Sequence, residues 1–369
     1  MSERDDLRAM VRELLTDRSG SQHVRAALDG PDGFDPSLWR TMAELGVAGL
    51  LVPEEHGGMG AEFADMAVVL HELGRRVVPL PIFSGAVLAA TALGSCGNPD
   101  LASELLPEVA AGGQRITVAI GGPAGQLPVS AWAVRWTAEA GGVRLDGVSG
   151  YVLDAPGSDV VIVGAAGPDG PLLAAVDSSV TRIEHQPTTD RTRRVGRVVL
   201  EGVMVPRERL LTDPGAAGAL IGRVQRAAAL AVAASGVGLA ERVTTETAAY
   251  ARQRNQFGRP IGSFQAVKHT CADMAVAVEC SRVAVDQALA AWGGPDEERA
   301  VSTAKAFVGD AAAQVCADAV QMHGGIGYTW EHDAHLWLKR ALLDQALFGS
   351  SSWHRRRVAD LVLPSPLVA

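Results

Sequence analysis

Aromatic residues make up only 5% of the 369 residues, so a chain that is 47% hydrophobic has to fill its core mainly with small and aliphatic side chains. That composition implies closely approaching helices rather than an aromatic-filled interior. Cysteine is scarce as well. Cys96, Cys271, Cys280 and Cys316 show no C-x-x-C spacing, which argues against a metal ribbon or disulfide framework, and they read as free thiols, three of them in helical patterns. Lys and Arg (33) are outnumbered by Asp and Glu (42), leaving a net charge of −9 without a basic stripe, which argues against nucleic acid as a partner. The start, Met1-Ser2-Glu3-Arg4-Asp5-Asp6, is polar and lacks a hydrophobic signal region. The longest weakly polar run, Ala227 to Ala240, contains Ser235 and falls short of the roughly 20 residues a bilayer requires. A cytoplasmic protein with no membrane contact is expected.

What is present divides into three segments of an α+β multi-domain chain. Residues 1-112 read as an N-terminal helical domain: Asp35 stands ahead of an apolar stripe Leu38, Met42 and Leu45, Gly46 ends that helix, and Ala64 to Leu73 resumes helical spacing. His71-Glu72 lacks a second histidine at metal-binding spacing and reads as a surface pair. Residues 113-212 carry short β-prone runs, among them 116–120, 133–136, 143–145, 151–153, 160–163, 172–176 and 197–200, punctuated by Gly, Pro and Asp, which predicts a central antiparallel β-domain. Residues 213-369 return to helical spacing. Leu220, Val224, Ala227, Ala231 and Ala234 step along one face, and Phe264 through Leu289 and Val301 through Met322 give further seams, so a four-helix bundle is expected.

Between two of those helices lies Arg252-Gln253-Arg254-Asn255-Gln256-Phe257-Gly258-Arg259-Pro260-Ile261-Gly262-Ser263-Phe264-Gln265. Gly258, Pro260 and Gly262 break the helix, Ser263 is a candidate cap for the next one, and Arg254 offers a fork of donors suited to phosphate. A plain reading is a connection whose charges are solvated. The stretch nevertheless resembles the R-x-x-F-G-x-x-I-x-x-F-Q signature of the acyl-CoA dehydrogenases, and Gln321-Met322-His323-Gly324-Gly325-Ile326-Gly327-Tyr328 resembles that family's Q-x-x-G-G-x-G-Y turn at the expected separation.

The resemblance implies an acyl-CoA dehydrogenase-like fold and FAD-dependent α,β-dehydrogenation of an acyl-CoA thioester. It also implies an oligomer, tetrameric in the family, and electron-transfer flavoprotein as acceptor. Carried over residue by residue, Arg254, Gln256, Phe257 and Gln265 would reach a flavin held mainly by a neighbouring subunit, with Arg254 on its pyrophosphate. Gln321, Gly324 and Gly325 would meet the adenosine end, glycine there permitting close backbone approach.

Two family features are missing. Where a T-E-P-x-x-G-S-D run contacts flavin and substrate, the chain has Ala119-Ile120-Gly121-Gly122-Pro123, and Gly157-Ser158-Asp159 lies too far along to replace it. Tyr151-Val152-Leu153 resembles the W-I-T strand beside the flavin ring, or is an ordinary core strand. The catalytic carboxylate is also absent: Phe348, before Gly349, occupies the position of the usual Glu, and Arg226 to Ala240 holds no acid, with Ser235 at one alternative position. Glu241 sits about 240° further round the helix from Ser235 and should face elsewhere; Asp344 and Glu331 are poor substitutes, and no metal site is expected. No catalytic residue is assigned. Relatives built from two different subunits, one of which carries the base, suggest a subunit that completes a homologous partner's flavin site. A non-catalytic structural or regulatory subunit and a flavin oxidase or monooxygenase of similar fold stay open.

Overall fold

The computed structural model describes residues 3–363. Helices α1 (Glu3–Arg18), α2 (Ser21–Asp29), α3 (Pro36–Glu44), α4 (Phe63–Arg76), α5 (Ala90–Gly94) and α6 (Pro99–Ala111) come first. Strands β1 (Ile116–Ala119), β2 (Arg135–Glu139), β3 (Gly142–Leu153), β4 (Val160–Gly167), β5 (Gly170–Asp177), β6 (Arg182–His185) and β7 (Val195–Pro206) follow. Then come α7 (Gly218–Gln253), the short strands β8 (Asn255–Gln256) and β9 (Arg259–Pro260), α8 (Gln265–Ala290), α9 (Glu297–His323), α10 (Ala334–Ala346) and α11 (Ser351–Val362).

These elements fall into two compact units. One gathers the described residues through Gln22, Ala67–Val78 and those from Ala229 on; the other comprises His23–Met66 and Pro79–Ala228.

In the second unit the strand order is β1-β4-β2-β3-β7-β6, with β5 on β4. Most pairs are antiparallel, as the turn-punctuated sequence implies, but β1 runs parallel to β4, Ile116 opposite Val160. Alternating Val, Leu and Ala from these strands make one core with Trp136, Val163, Leu172, Val198 and Leu210. The two separate runs around Val143 and Tyr151 belong to one strand, β3, interrupted where Gly150 and Tyr151 stand opposite the single residue Arg197. That bulge puts Tyr151 at φ +53. Ahead of the sheet, Phe83–Ala89 forms a π-helical turn in which the Ser84 hydroxyl donates to Asp154 at 2.7 Å. Asp35 caps α3 as its sequence predicts, accepting from the amides of Ser37 and Leu38. Gly157-Ser158-Asp159 is structural: Ser158 Oγ donates to Ala155 O, and Asp159 accepts from the Arg115 amide.

Helix α7 is 36 residues long, and its part from Ala229 on belongs to the first unit. It is the one helix among the described residues long and apolar enough to cross a membrane by composition, and 83% of its apolar window is buried inside the molecule, as in a core helix. Glycine lets α4 and α7 nearly touch: a Cβ on Gly238 would lie 1.9 Å from the His71 carbonyl oxygen, and one on Gly74 2.0 Å from that of Ser235. Helices α8, α10 and α11 pack on α9, whose Val301, Val308 and Val315 are buried. On α8 the buried seam is Met274, Val278, Ser281, Val285 and Ala288, while Val276 and Val283 face solvent.

His71 and Glu72 correct the surface-pair expectation. Glu72 is 2% exposed; Arg12 of α1 donates to both its oxygens at 2.9 and 2.8 Å. His71 Nδ1 faces Glu72 at 3.2 Å and its Nε2 faces Glu241 at 3.0 Å, with Arg75 also on Glu241. An acid and a base adjacent in sequence gave no hint that α1 and α7 would supply their partners. Ser263 does not cap α8: its hydroxyl donates to Pro260 O at 2.7 Å, and Phe264 occupies the cap position. Cys96, Cys271, Cys280 and Cys316 are free, with Cys316 buried and Cys280 exposed.

Candidate functional site

Helix α7 ends at Gln253, earlier than the glycines and proline that were expected to stop it, because the chain turns at once into the β8–β9 hairpin. At its tip Phe257 (φ +52) and Gly258 (φ +77) both take left-handed backbone. This is the geometry of a tight hairpin turn that ordinarily selects Asn-Gly or Gly-Gly. A bulky aromatic in that conformation is strained, and Phe257 is also 91% exposed. Strain of this kind together with exposure directs attention to a role outside the chain.

The donors around the tip are equally unengaged. Arg254, Gln256 and Gln265 are exposed, and their side chains have no partner among the described residues. The backbone of Arg254 is fixed, its N–H donating to Tyr250 O and its carbonyl accepting from Ile261 N. Phe264 packs edge-on against Phe257 and carries Arg259 over its ring at 4.2 Å.

The second motif meets the first at the same end of the bundle. Tyr250, one turn before Arg254, stacks on His323 with ring centroids 4.3 Å apart, and His323 precedes Gly324. His323 is buried, with Nδ1 2.7 Å from Ala319 O, and burial holds its pKa below the ordinary value, so the neutral ring donates from Nδ1. His323 also meets His332, with ring centroids 4.4 Å apart, and His332 in turn meets Trp337. This chain of rings ties the α7–α8 connection to the α9–α10 turn. Gln321, Gly324 and Gly325 are exposed there, beside Tyr328 and Trp330, which are 71% and 60% exposed. Gly324 lies at φ +64 and ψ −144, a region closed to residues with a Cβ. A Cβ on Gly325 would meet nothing within 4 Å inside the chain, so any steric demand for glycine there arises from outside.

The Phe348 loop is held by buried donors. Lys305, fully buried, donates to Gln345 O at 3.1 Å and Gly349 O at 3.0 Å. Burial lowers its pKa to about 8, against the pull of Asp344 and Asp310. His354 Nε2 donates to Phe348 O at 2.9 Å; burial takes this imidazole down to about 4, so it is neutral. Phe348 and Gly349 sit at φ +54 and +98. Of the carboxylates weighed as a base, Asp344 is buried and lines a narrow crevice with Lys305, Gly236 and Gly309. Glu241 is committed to His71 and Arg75, and those partners lower its pKa, His71 most of all. It does reach the same helix that Ser235 packs against, α4, because that contact spans a broad arc of α7. Glu331 is exposed beyond the Gly324 turn.

Comparison with known proteins matches this geometry to one family. The acyl-CoA dehydrogenase N-terminal and C-terminal domain models match residues 1–113 and 224–363. Acyl-CoA dehydrogenase IpdE2 of Mycobacterium tuberculosis is 37% identical over 99% of this chain and 98% of its own. Among solved structures, a variant of the Tcur3481-Tcur3483 steroid ACAD superposes with a TM-score of 0.89 at 32% identity, covering 98% of this chain and 97% of that one. The ChsE4-ChsE5 complex from Mycobacterium tuberculosis gives 0.92 at 28% identity, with 99% of each chain covered. The chain belongs to the acyl-CoA dehydrogenase family. Members of that family are oxidoreductases acting on CH–CH bonds of acyl-CoA thioesters and generally bind FAD.

Proposed function

We propose that this chain takes part in FAD-dependent α,β-dehydrogenation of an acyl-CoA thioester as a subunit that lacks its own catalytic carboxylate and completes the flavin site of a homologous partner. The observation that carries this reading is the convergence of exposed, unengaged donors Arg254, Gln256, Gln265 and Gln321 at one end of the bundle, with Phe257 in strained backbone among them. Such donors suit the pyrophosphate and ribose of a dinucleotide. The residues fit the group: Arg254 would take the pyrophosphate charge, the glutamines would donate to neutral oxygens, and the open backbone at Gly324 and Gly325 would admit the adenosine end. When bound, the flavin supplies acceptance of the β-hydride.

Phe348 cannot accept the α-proton, and Lys305 and His354 hold the backbone around it in place, so the carboxylate belongs to the partner. That two of the structural relatives are named as pairs of chains, Tcur3481-Tcur3483 and ChsE4-ChsE5, supports a heteromer. One of them is a steroid ACAD, which makes ring-bearing acyl-CoA thioesters the first substrates to test. The segment boundaries 1-112, 113-212 and 213-369, a cytoplasmic location and electron-transfer flavoprotein as acceptor belong to the same reading.

The test is Arg254→Ala in the purified assembly. Loss of one charge-assisted contact of about 1.5–3 kcal/mol should weaken FAD retention roughly 10- to 150-fold; an unchanged flavin content defeats the proposal. The absence of a carboxylate at Phe348 also favours a second reading, a non-catalytic subunit of the same fold. Single-turnover reduction of the assembly by acyl-CoA under dye and under oxygen separates dehydrogenase, oxidase and inert subunit.

A further inference from the structure

The turn that carries Arg254 and the turn that carries Gly324 are joined through two side chains. Tyr250 accepts the Arg254 amide on its carbonyl at 2.9 Å, and its ring stacks on His323 with the planes 28° apart. The Tyr250 hydroxyl donates to His323 O at 3.4 Å, so the backbone leading into Gly324 hangs on the same tyrosine. The glycine turn folds back over the root of the imidazole: a Cβ on Gly327 would come within 3.2 Å of His323 Cβ. His323 itself is only 4% exposed.

The contacts as they stand belong to neutral imidazoles. A carbonyl can only accept, so His323 Nδ1 carries the proton that goes to Ala319 O, and a further proton has to enter at Nε2. His332 Nδ1 accepts from the Ala334 amide at 3.1 Å, a bond that a proton on that nitrogen would break. Burial is the main force against a charge on His323. The Ala319 carbonyl and Glu246 of α7 favour the charge, and His332 opposes it. The balance holds the pKa below the ordinary 6.5, so the ring is neutral above that value and takes up a proton as the pH falls through the lowered one. A buried charged ring has to move toward water, which parts it from Tyr250 and His332.

We propose that His323 is a positioning residue for both turns, and that charging its imidazole loosens the assembly's hold on FAD. The inference rests on the proposed function, in which these turns meet the partner's cofactor, and it adds an acid limit to that function. The assembly purified with its partner is diluted at a series of pH values, and the flavin fluorescence that appears on release is followed against time. Release should be constant above pH 6.5 and quicken as the pH falls below it, by up to about tenfold for each unit. His323→Phe keeps the stack and cannot take a proton, so its release should stay flat across the same range. His323→Asn keeps a donor for Ala319 O but loses the stack, and it should release FAD about tenfold faster at every pH. A wild-type profile without the acid rise, or the same rise in His323→Phe, overturns the positioning role and leaves the grip of Arg254 standing. If Arg254→Ala retains FAD as the wild type does while the acid rise still follows His323, the proposed function falls and the positioning role stands.

Discussion

Phe257 shows how a single residue can be set against its own chain. Left-handed backbone costs a residue with a Cβ about 1–2 kcal/mol, and the exposed ring recovers little beyond its edge contact with Phe264. Phe257→Asn, which suits the turn, should therefore raise the unfolding free energy of the isolated chain by up to about 1 kcal/mol while lowering flavin retention in the assembly. Denaturant unfolding and flavin content measured on the same preparations check both signs, and a variant that is better in both respects would refute the role given to the ring. The residues of this tip were legible in the sequence because Arg254, Phe257, Gly258 and Gln265 fall at fixed spacing. The strain was not legible, since it depends on β8 and β9 pairing across only two residues.

Among the elements, α1, α4 and α7 are fastened by the ion cluster on Glu72. Burial alone would raise this carboxylate's pKa; hydrogen bonds and charge from His71 and Arg12 reverse that and bring it down to about 2. A carboxylate depressed in the folded state contributes stability that is complete above its unfolded pKa of 4.5 and is lost as pH falls toward 2. His71 has the opposite sign. Burial opposes its charge, yet bonds to Glu241 and Glu72 raise its pKa, so its contribution is complete below 6.5 and fades as pH climbs through the raised value. Stability should therefore pass through a maximum between these limits. Glu72→Gln should cost about 3 kcal/mol in urea unfolding and flatten the acid limb, while His71→Gln should flatten the neutral one. A Glu72→Gln protein with an unchanged midpoint would show the cluster to be ornamental.

Periodicity exposed the helices and seven β-prone runs, but not this fastening. The partners of Glu72 lie on α1 and α4, and Glu241 joins through His71; only packing brings them together. Strand β6 escaped notice for a related reason. Arg182-Ile183-Glu184-His185 sits at the sheet edge, where neither face is fully buried and alternation disappears.

For the molecule as a whole, the sequence disclosed the family through two glycine-containing turns; the departures expected from it, Phe348 in place of a carboxylate and no T-E-P run after β1, belong to the proposed function. What the absences mean required coordinates, because a missing motif can leave either an open crevice or a filled one. Here the amides of Gly122, Ala124 and Gly125 in the loop after β1 bond within the loop itself. Co-expression with an adjacent homologue carrying a carboxylate should give acyl-CoA dehydrogenation at least about 100-fold above either chain alone, given the 10²–10⁴ that general-base catalysis contributes. Dye reduction by the separate and mixed chains measures it, and full activity of this chain by itself would sink the heteromeric assignment.

Phe257, Tyr328 and Trp330 are left in water at one end of the subunit, and until they are covered they are adhesive to any other exposed hydrocarbon. In the proposed assembly a homologous chain covers them, and on that reading a cell that makes this polypeptide in excess should lose the surplus to aggregation or proteolysis.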